Sequence, residues 1–274
     1  MSDIAVAFTG LGHAYESGRW VFRHCAASIE RGSVLALLGS NGRGKTTLLK
    51  LLLGVMRPSE GKIMVQGRAA FVPQLFQVSF DYSVLDMVLM GRAGRIGFLA
   101  QPSRKDEAAA LAALDRFGLT DLARRSFHDL SGGQRQMVIF ARALVSEPDI
   151  LILDEPTSAL DLKNQFLILD QIAQLSRHDG LTVLFTTHHP HHALEIADDA
   201  LLMLGAQKFV FGPVADVLTE ENLHALYGVA LRRVAFRHGA ETIETIAPVF
   251  RAVTAFPENQ MSPKPFNHLK GLSI

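Results

Sequence analysis

The sequence predicts an α/β fold: a mostly parallel sheet covered by helices on both faces, with a helical segment inserted between two of its strands. Three observations predict it. Val34–Leu38 and Ile150–Leu153 are continuous apolar runs, the pattern of strands buried on both faces. Stretches of helical period alternate with them along the chain. The stretch from about Leu75 to Glu147 carries few strand signals and reads as a helical insertion.

In chain order, Ile4, Val6 and Phe8 alternate with smaller residues, as in a half-buried strand. The run Val34–Leu38 leads into Gly39-Ser40-Asn41-Gly42-Arg43-Gly44-Lys45-Thr46-Thr47. Leu48–Leu53 then reads as a buried helix, stopped by Gly54 and Pro58. Lys62–Gln66 and Ala69–Val72 read as short strands. Ser103 and Asp106 have capping-box spacing, with Asp in place of the usual Glu. Leu111, Leu114 and Phe117 follow at helical spacing, and Gly118 closes that helix. After Leu130-Ser131-Gly132-Gly133-Gln134, the apolar residues Met137, Phe140, Ala141 and Leu144 mark an amphipathic helix ending before Pro148. A helix from about Leu162 to Ser176 precedes a strand over Thr182–Thr186, with His188 at its end. Beyond Leu231 the pattern weakens to strand-like pieces at Val234–Phe236 and Val249–Val253.

The 274 residues carry 27 Lys and Arg against 27 Asp and Glu, a formal net charge of zero, and one cysteine. Balanced charge argues against a general nucleic-acid binder, which carries a basic excess. A lone Cys25 forms no internal disulfide and suits a reducing compartment, as a small buried apolar residue. No apolar run approaches the ~20 residues that a spanning helix needs, and the start of the chain lacks the basic-then-apolar pattern of a signal peptide. The expectation is a soluble chain that does not itself cross a bilayer.

Gly39–Thr46 fits G-x-x-x-x-G-K-[ST] between a buried strand and a helix, the context that gives the motif meaning. Glycines let the backbone wrap a phosphate chain with its N–H groups inward, and the helix N-terminus adds partial positive charge. Lys45 reaches β/γ-phosphates and the Thr46 hydroxyl suits Mg²⁺. Arg43, inside the loop, either points to solvent or adds a cation near the phosphates. Asp154-Glu155 ends an aliphatic strand, at the edge where open α/β sheets bind ligands. Asp154 suits Mg²⁺, and Glu155 suits polarising an attacking water. Leu130–Gln134 is a second glycine-rich helix start: an ordinary N-cap, or another anion platform.

These motifs, with Gln74, Leu151–Pro156, Ser158-Ala159-Leu160-Asp161 and His188, resemble the ATP-binding-cassette family in order and spacing. From Lys45 to Ser131 is 131 − 45 = 86 residues, and from Ser131 to Asp154 is 154 − 131 = 23. The resemblance covers about residues 4–230. It implies a P-loop NTPase with a RecA-like, mostly parallel core, an N-terminal antiparallel β subdomain and an inserted helical subdomain. In domain terms it implies an ATPase domain over 1–231, with the insertion at about 75–147, and an extension over 232–274.

The resemblance implies a head-to-tail homodimer, with each ATP between the phosphate loop of one chain and the signature segment of the other. By position, Gly39, Ser40, Asn41, Gly42, Gly44, Lys45, Thr46 and Thr47 hold the phosphates. Thr46, Gln74 and Asp154 attend Mg²⁺. Gln74, Glu155 and His188 are catalytic, with Glu155 as base and His188 at the γ-phosphate. Ser131, Gly132, Gly133 and Gln134 close on the partner's nucleotide, and Asp161 lies on the dimer seam. Tyr15 matches the aromatic that stacks on adenine, with Trp20 and Phe22 as competitors.

In His188-His189-Pro190-His191-His192, Pro190 suits a first helical turn. That leaves His188 on the strand end and the other histidines as surface polar residues, not metal ligands. Met87–Met90 is either helix core or the groove for a membrane partner. The implied partners are two permease subunits and, indirectly, an extracytoplasmic binding protein, with no nucleic acid. The implied location is peripheral, on the cytoplasmic face of the inner membrane. Phe71–Gln74 and Ser83–Arg92 resemble importers of iron siderophores, haem and cobalamin. Thr186–Pro190, lacking the usual Asp after the histidine, resembles a subset that includes molybdate and tungstate importers. The competitors are a stand-alone ABC ATPase, as in cluster assembly, and a P-loop kinase or GTPase. The latter would not need Leu130–Gln134.

Overall fold

A computed structural model describes residues 3–16, 18–74, 76, 78–96, 100–158 and 160–249. The first strand, β1 (Ile4–Glu16), runs well past the expected Phe8. It continues because Gly10, at φ 57°, kinks the ladder between Phe8 and Leu11 and returns Leu11 to the buried face. It pairs antiparallel with β2 (Arg19–Glu30) on one side and β4 (Glu60–Val65) on the other.

Between these lie β3 (Val34–Gly39) and the short helix α1 (Lys45–Leu52). β5 (Ala69–Val72) leads to the helical segment: α2 (Val84–Leu89), α3 (Arg104–Asp115) and α4 (Gly132–Leu144). Each of these helices begins on a capping box, at Ser83/Asp86, Ser103/Asp106 and Ser131/Gln134, which satisfies otherwise unpaired backbone N–H groups. Then come β6 (Ile150–Leu153), α5 (Leu162–Asp179), β7 (Thr182–Thr187) and α6 (Pro190–Ile196), with Pro190 in the first turn. The chain continues as β8 (Asp199–Gly205), β9 (Lys208–Pro213), α7 (Val214–Val217) and α8 (Glu220–Tyr227). It ends, among the described residues, in a hairpin of β10 (Leu231–His238) and β11 (Glu241–Pro248).

The central sheet has the order β5-β6-β7-β3-β8-β9, parallel except for β9. Period two divides each central strand between two cores. Leu35 and Leu37 face the three-stranded sheet and α1, packing near Phe8, Phe22 and Cys25. Ala36 and Leu38 face the opposite core with Leu153, Phe185 and the helices. Burial on both faces explains the unbroken apolar runs. Cys25 is fully buried, and burial pushes its thiol up to about 12, as a small apolar residue requires.

The strand-like piece expected at Val249–Val253 lies, from 250 on, outside the described residues; the second strand of the hairpin is Glu241–Pro248. The hairpin buries Leu231 on one strand and Ile246 on the other, and the alternation of Thr242, Glu244 and Ile246 gave little apolar signal. The expectation of surface histidines is corrected at one position. His192 is not a surface residue. It is 3% exposed, and its Nδ1 lies 3.3 Å from the Thr157 hydroxyl.

Candidate active site

The loop after β3 turns twice through left-handed backbone, at Gly42 (φ 78°) and Gly44 (φ 95°). Gly44 is additionally enforced by packing: a Cβ there would lie 2.7 Å from Val21 Cγ1. The loop opens onto a cavity of about 470 Å³ whose walls include Asn41, Lys45, Thr46, Gln74 and Glu155. The N-terminal turn of α1 carries no acidic residue, so its free N–H groups and partial positive charge are uncompensated there.

Lys45 is buried. Its ammonium donates to the Gly39 carbonyl at 2.8 Å and lies 3.5 Å from the Glu155 carboxylate. The Thr46 hydroxyl donates to Asp154 Oδ2 at 2.8 Å. Gln74 Nε2 donates to Glu155 Oε2 at 2.8 Å, and His188 Nδ1 lies 3.7 Å from the same oxygen. Three strand ends, those of β5, β6 and β7, thus deliver Gln74, Asp154-Glu155 and His188 to one place. The donor set of hydroxyl, carboxylate and amide oxygens is the hard-oxygen set that Mg²⁺ requires.

Tyr15 forms the outer wall. It is 63% exposed, and its hydroxyl lies 3.0 Å from Thr47 Oγ1. Its competitors are occupied elsewhere: Phe22 is core, and the Trp20 ring is covered by the Arg23 guanidinium at 4.2 Å. Arg43 lines a neighbouring cavity with Tyr15 and Trp20 and is not among the residues lining the cavity at Lys45.

The second glycine-rich segment does not join this cavity. Ser131 caps α4, accepting from the Gln134 amide, while Gln134 Oε1 accepts from the Ser131 N–H at 3.0 Å. A Cβ on Gly133 would lie 2.7 Å from the Asn164 side chain. Asn164 in turn donates its N–H to Asp161, the cap of α5. Gly132 lies on a separate cavity that also touches Gln74. One chain therefore presents two helix-start platforms, one at the phosphate loop and one outside it.

Sequence reasoning missed three polar side chains here. Thr186 bonds both Asp154 and Glu155; Asn164 packs against Gly133; Tyr227 donates its hydroxyl to the His188 carbonyl at 3.1 Å. Thr186 left no signal of its own, since Thr182 and Thr187 of the same strand are buried threonines too.

The family model described as "ABC transporter" matches residues 22–158. The molybdate import ATP-binding protein MolC of Haemophilus influenzae is 43% identical over 249 residues, 91% of this chain and 98% of that one. This chain belongs to the ABC transporter family. As an ABC ATPase it binds and hydrolyses ATP. The manganese transport system ATP-binding protein MntB of Bacillus subtilis is 39% identical over 221 residues, 76% of this chain and 86% of MntB. Among solved structures, an ABC transporter described as of the metal-chelate type, in an inward-facing conformation, superposes with a TM-score of 0.87. That chain is 42% identical, with 91% of this ATPase and 99% of the transporter chain covered. ABC ATPase subunits of importers act as dimers with membrane permease components. In the ATPase described here, no helix of the described residues is long and apolar enough to cross a membrane.

Proposed function

We propose that this chain is the ATP-hydrolysing subunit of an importer whose cargo is molybdate or a related oxyanion. The observation that carries it is the Glu155 carboxylate at one cavity wall, within reach of Lys45, Gln74 and His188, in a chain 43% identical to a molybdate import ATPase over 98% of that ATPase's length. A metal-chelate cargo is the second reading, favoured by the similarity to the metal-chelate type transporter.

In this reading the phosphate-loop amides and Lys45 hold the β- and γ-phosphates, and Tyr15 lies against the adenine. Thr46, Asp154 and Gln74 would hold Mg²⁺, which would neutralise charge on the phosphates. Glu155 accepts a proton from the attacking water, and Gln74 and His188 orient its carboxylate and the γ-phosphate. Two copies face head to tail, so that Ser131, Gly132, Gly133 and Gln134 of one close on the nucleotide of the other, with Asp161 on the seam. The separation of the two helix-start platforms within one chain supports this, since each lacks its counterpart.

The permease would dock in the apolar groove of about 650 Å³ beside α2, where Leu89, Met90, Ala93 and Ile96 line the wall. Met87 and Val88 are fully buried core, so only the end of the Met87–Met90 run is available to a partner. The location is then peripheral, at the cytoplasmic face of the membrane. Residues 1–231 form the ATPase unit, with its helical insertion, and 232–274 an extension. Fractionation of cells tests the docking: the chain is expected in the membrane fraction only when its permease is co-expressed. Recovery wholly in the soluble fraction under that condition would overturn it.

A further inference from the structure

Thr186, the penultimate residue of β7, is fully buried, as are Thr182 and Thr187 of the same strand, which accept from the Gly32 and His189 amides. A buried hydroxyl in such a place needs partners. Thr186 has two. It donates to Asp154 Oδ1 at 2.7 Å and accepts the backbone N–H of Glu155 at 2.7 Å. A hydroxyl has a single proton, so its direction is set: the proton faces the carboxylate and a lone pair faces the amide.

Both partners belong to the acidic pair. Asp154 receives Thr186 on one oxygen and Thr46 on the other, which fixes the plane of its carboxylate. Glu155 sits at φ 46°, a left-handed conformation that non-glycine residues keep only when the surroundings impose it. The bond from Thr186 to its amide is one such constraint. The strand register reinforces it: Leu153 is paired with Phe185, so Thr186 stands opposite the point where the chain leaves β6.

We propose that Thr186 is a positioning residue for ATP hydrolysis, holding the Asp154–Glu155 peptide so that both carboxylates face the phosphate cavity. The proposal rests on the reading of Glu155 as the base and Asp154 as the Mg²⁺-side carboxylate. Valine is nearly isosteric with threonine but leaves the Glu155 N–H and one Asp154 oxygen without their partner. The left-handed turn is then free to relax and swing the Glu155 side chain off its line.

The test uses the full chain as Thr186→Val, Thr186→Ser and Glu155→Gln. Thr186→Val is expected to lower kcat roughly 10²-fold, the cost of a displacement of about 1 Å, while Kd for ATP without Mg²⁺ stays within about twofold. Mn²⁺ binding to the ADP complex, read by electron paramagnetic resonance, is expected to weaken roughly tenfold as Asp154 loses its second anchor. Thr186→Ser restores the hydroxyl and is expected to recover both. Three results would overturn the proposal: turnover of Thr186→Val near that of the parent, equal impairment in Val and Ser, or loss of Mg²⁺-free ATP binding. Near-normal turnover by Glu155→Gln would instead remove the reading beneath it. An inactive Glu155→Gln beside an active Thr186→Val would remove Thr186 alone.

Discussion

The Glu155 carboxylate lies 3.5 Å from the Lys45 ammonium, across the cavity that the phosphate loop encloses. Glu155 follows β6, and Lys45 opens α1 beyond the loop after β3; β6 and β3 are separated in the sheet by β7, and the groups converge because both strands end at the same edge. Their charges neutralise each other without nucleotide. A phosphate entering the cavity therefore competes with Glu155 for Lys45.

Glu155→Gln keeps the size and the hydrogen bond from Gln74 in reach, but removes the proton acceptor. It is expected to bind ATP, to dimerise, and to lose hydrolysis by roughly 10²–10⁴-fold, the range of a general base. Phosphate release together with sedimentation in ATP checks this.

Lys45→Ala removes the buried cation and leaves Glu155 without its counter-charge. Nucleotide affinity is expected to fall by about 3 kcal/mol, more than a hundredfold in Kd. A fluorescent-nucleotide titration measures it directly, and an unchanged Kd would exclude Lys45 as the phosphate grip.

How much of this site was readable follows from where each residue's role resides. Lys45, Thr46, Asp154 and Glu155 were legible because their chemistry needs fixed residue types at fixed strand and helix ends. Ser131 and Gly133 were legible as a segment, yet within one chain they look like any helix cap, and the proposed role needs a second copy. Thr186 was not legible, because a threonine in a buried strand has ordinary β-propensity and its partners are 31 and 32 residues away in sequence. His192 was misread because histidine composition near a helix start suggests solvent. Only the packing of α6 against β7 and Thr157 buries it. The hairpin β10–β11 was half legible, since Val234 and Phe236 alternate clearly while its second strand interleaves Glu and Thr with isolated Ile residues.

Burial, and the nearby rings of His188, His189 and His191, hold the His192 imidazole down to about 3, against an ordinary 6.5. Burial lowers His189 and His191 as well. The folded chain therefore keeps the His192 ring neutral while the unfolded chain takes up a proton below about pH 6.5, so the stability tied to His192 is full above that pH and is lost as pH falls towards 3. Urea midpoints are expected to drop between pH 7.5 and 5, and to drop less in His192→Gln, which can still bond Thr157. Equal slopes in both proteins would show that His192 does not carry the effect.

Arg92 is buried and ties three elements together: it donates to Asp106 at 2.6 Å, to the Val145 carbonyl at 3.1 Å and to Glu147 at 3.3 Å. Together with the Ser103 cap, the first cause, it holds the Asp106 carboxyl down at about 2. Arg92→Ala strands these acceptors and is expected to cost about 3 kcal/mol of stability, read as a lower urea midpoint. ATP affinity should be unchanged, because Arg92 lies in the helical segment and not on the phosphate cavity.

The central claim is tested most directly by uptake of labelled molybdate into vesicles that carry the permease and this chain, with ATP supplied on the side of the ATPase. The account predicts accumulation that requires ATP and disappears with Glu155→Gln. ATP-dependent accumulation of a ferric chelate with none of molybdate would contradict the assigned cargo, and accumulation that persists in Glu155→Gln would contradict the assigned engine.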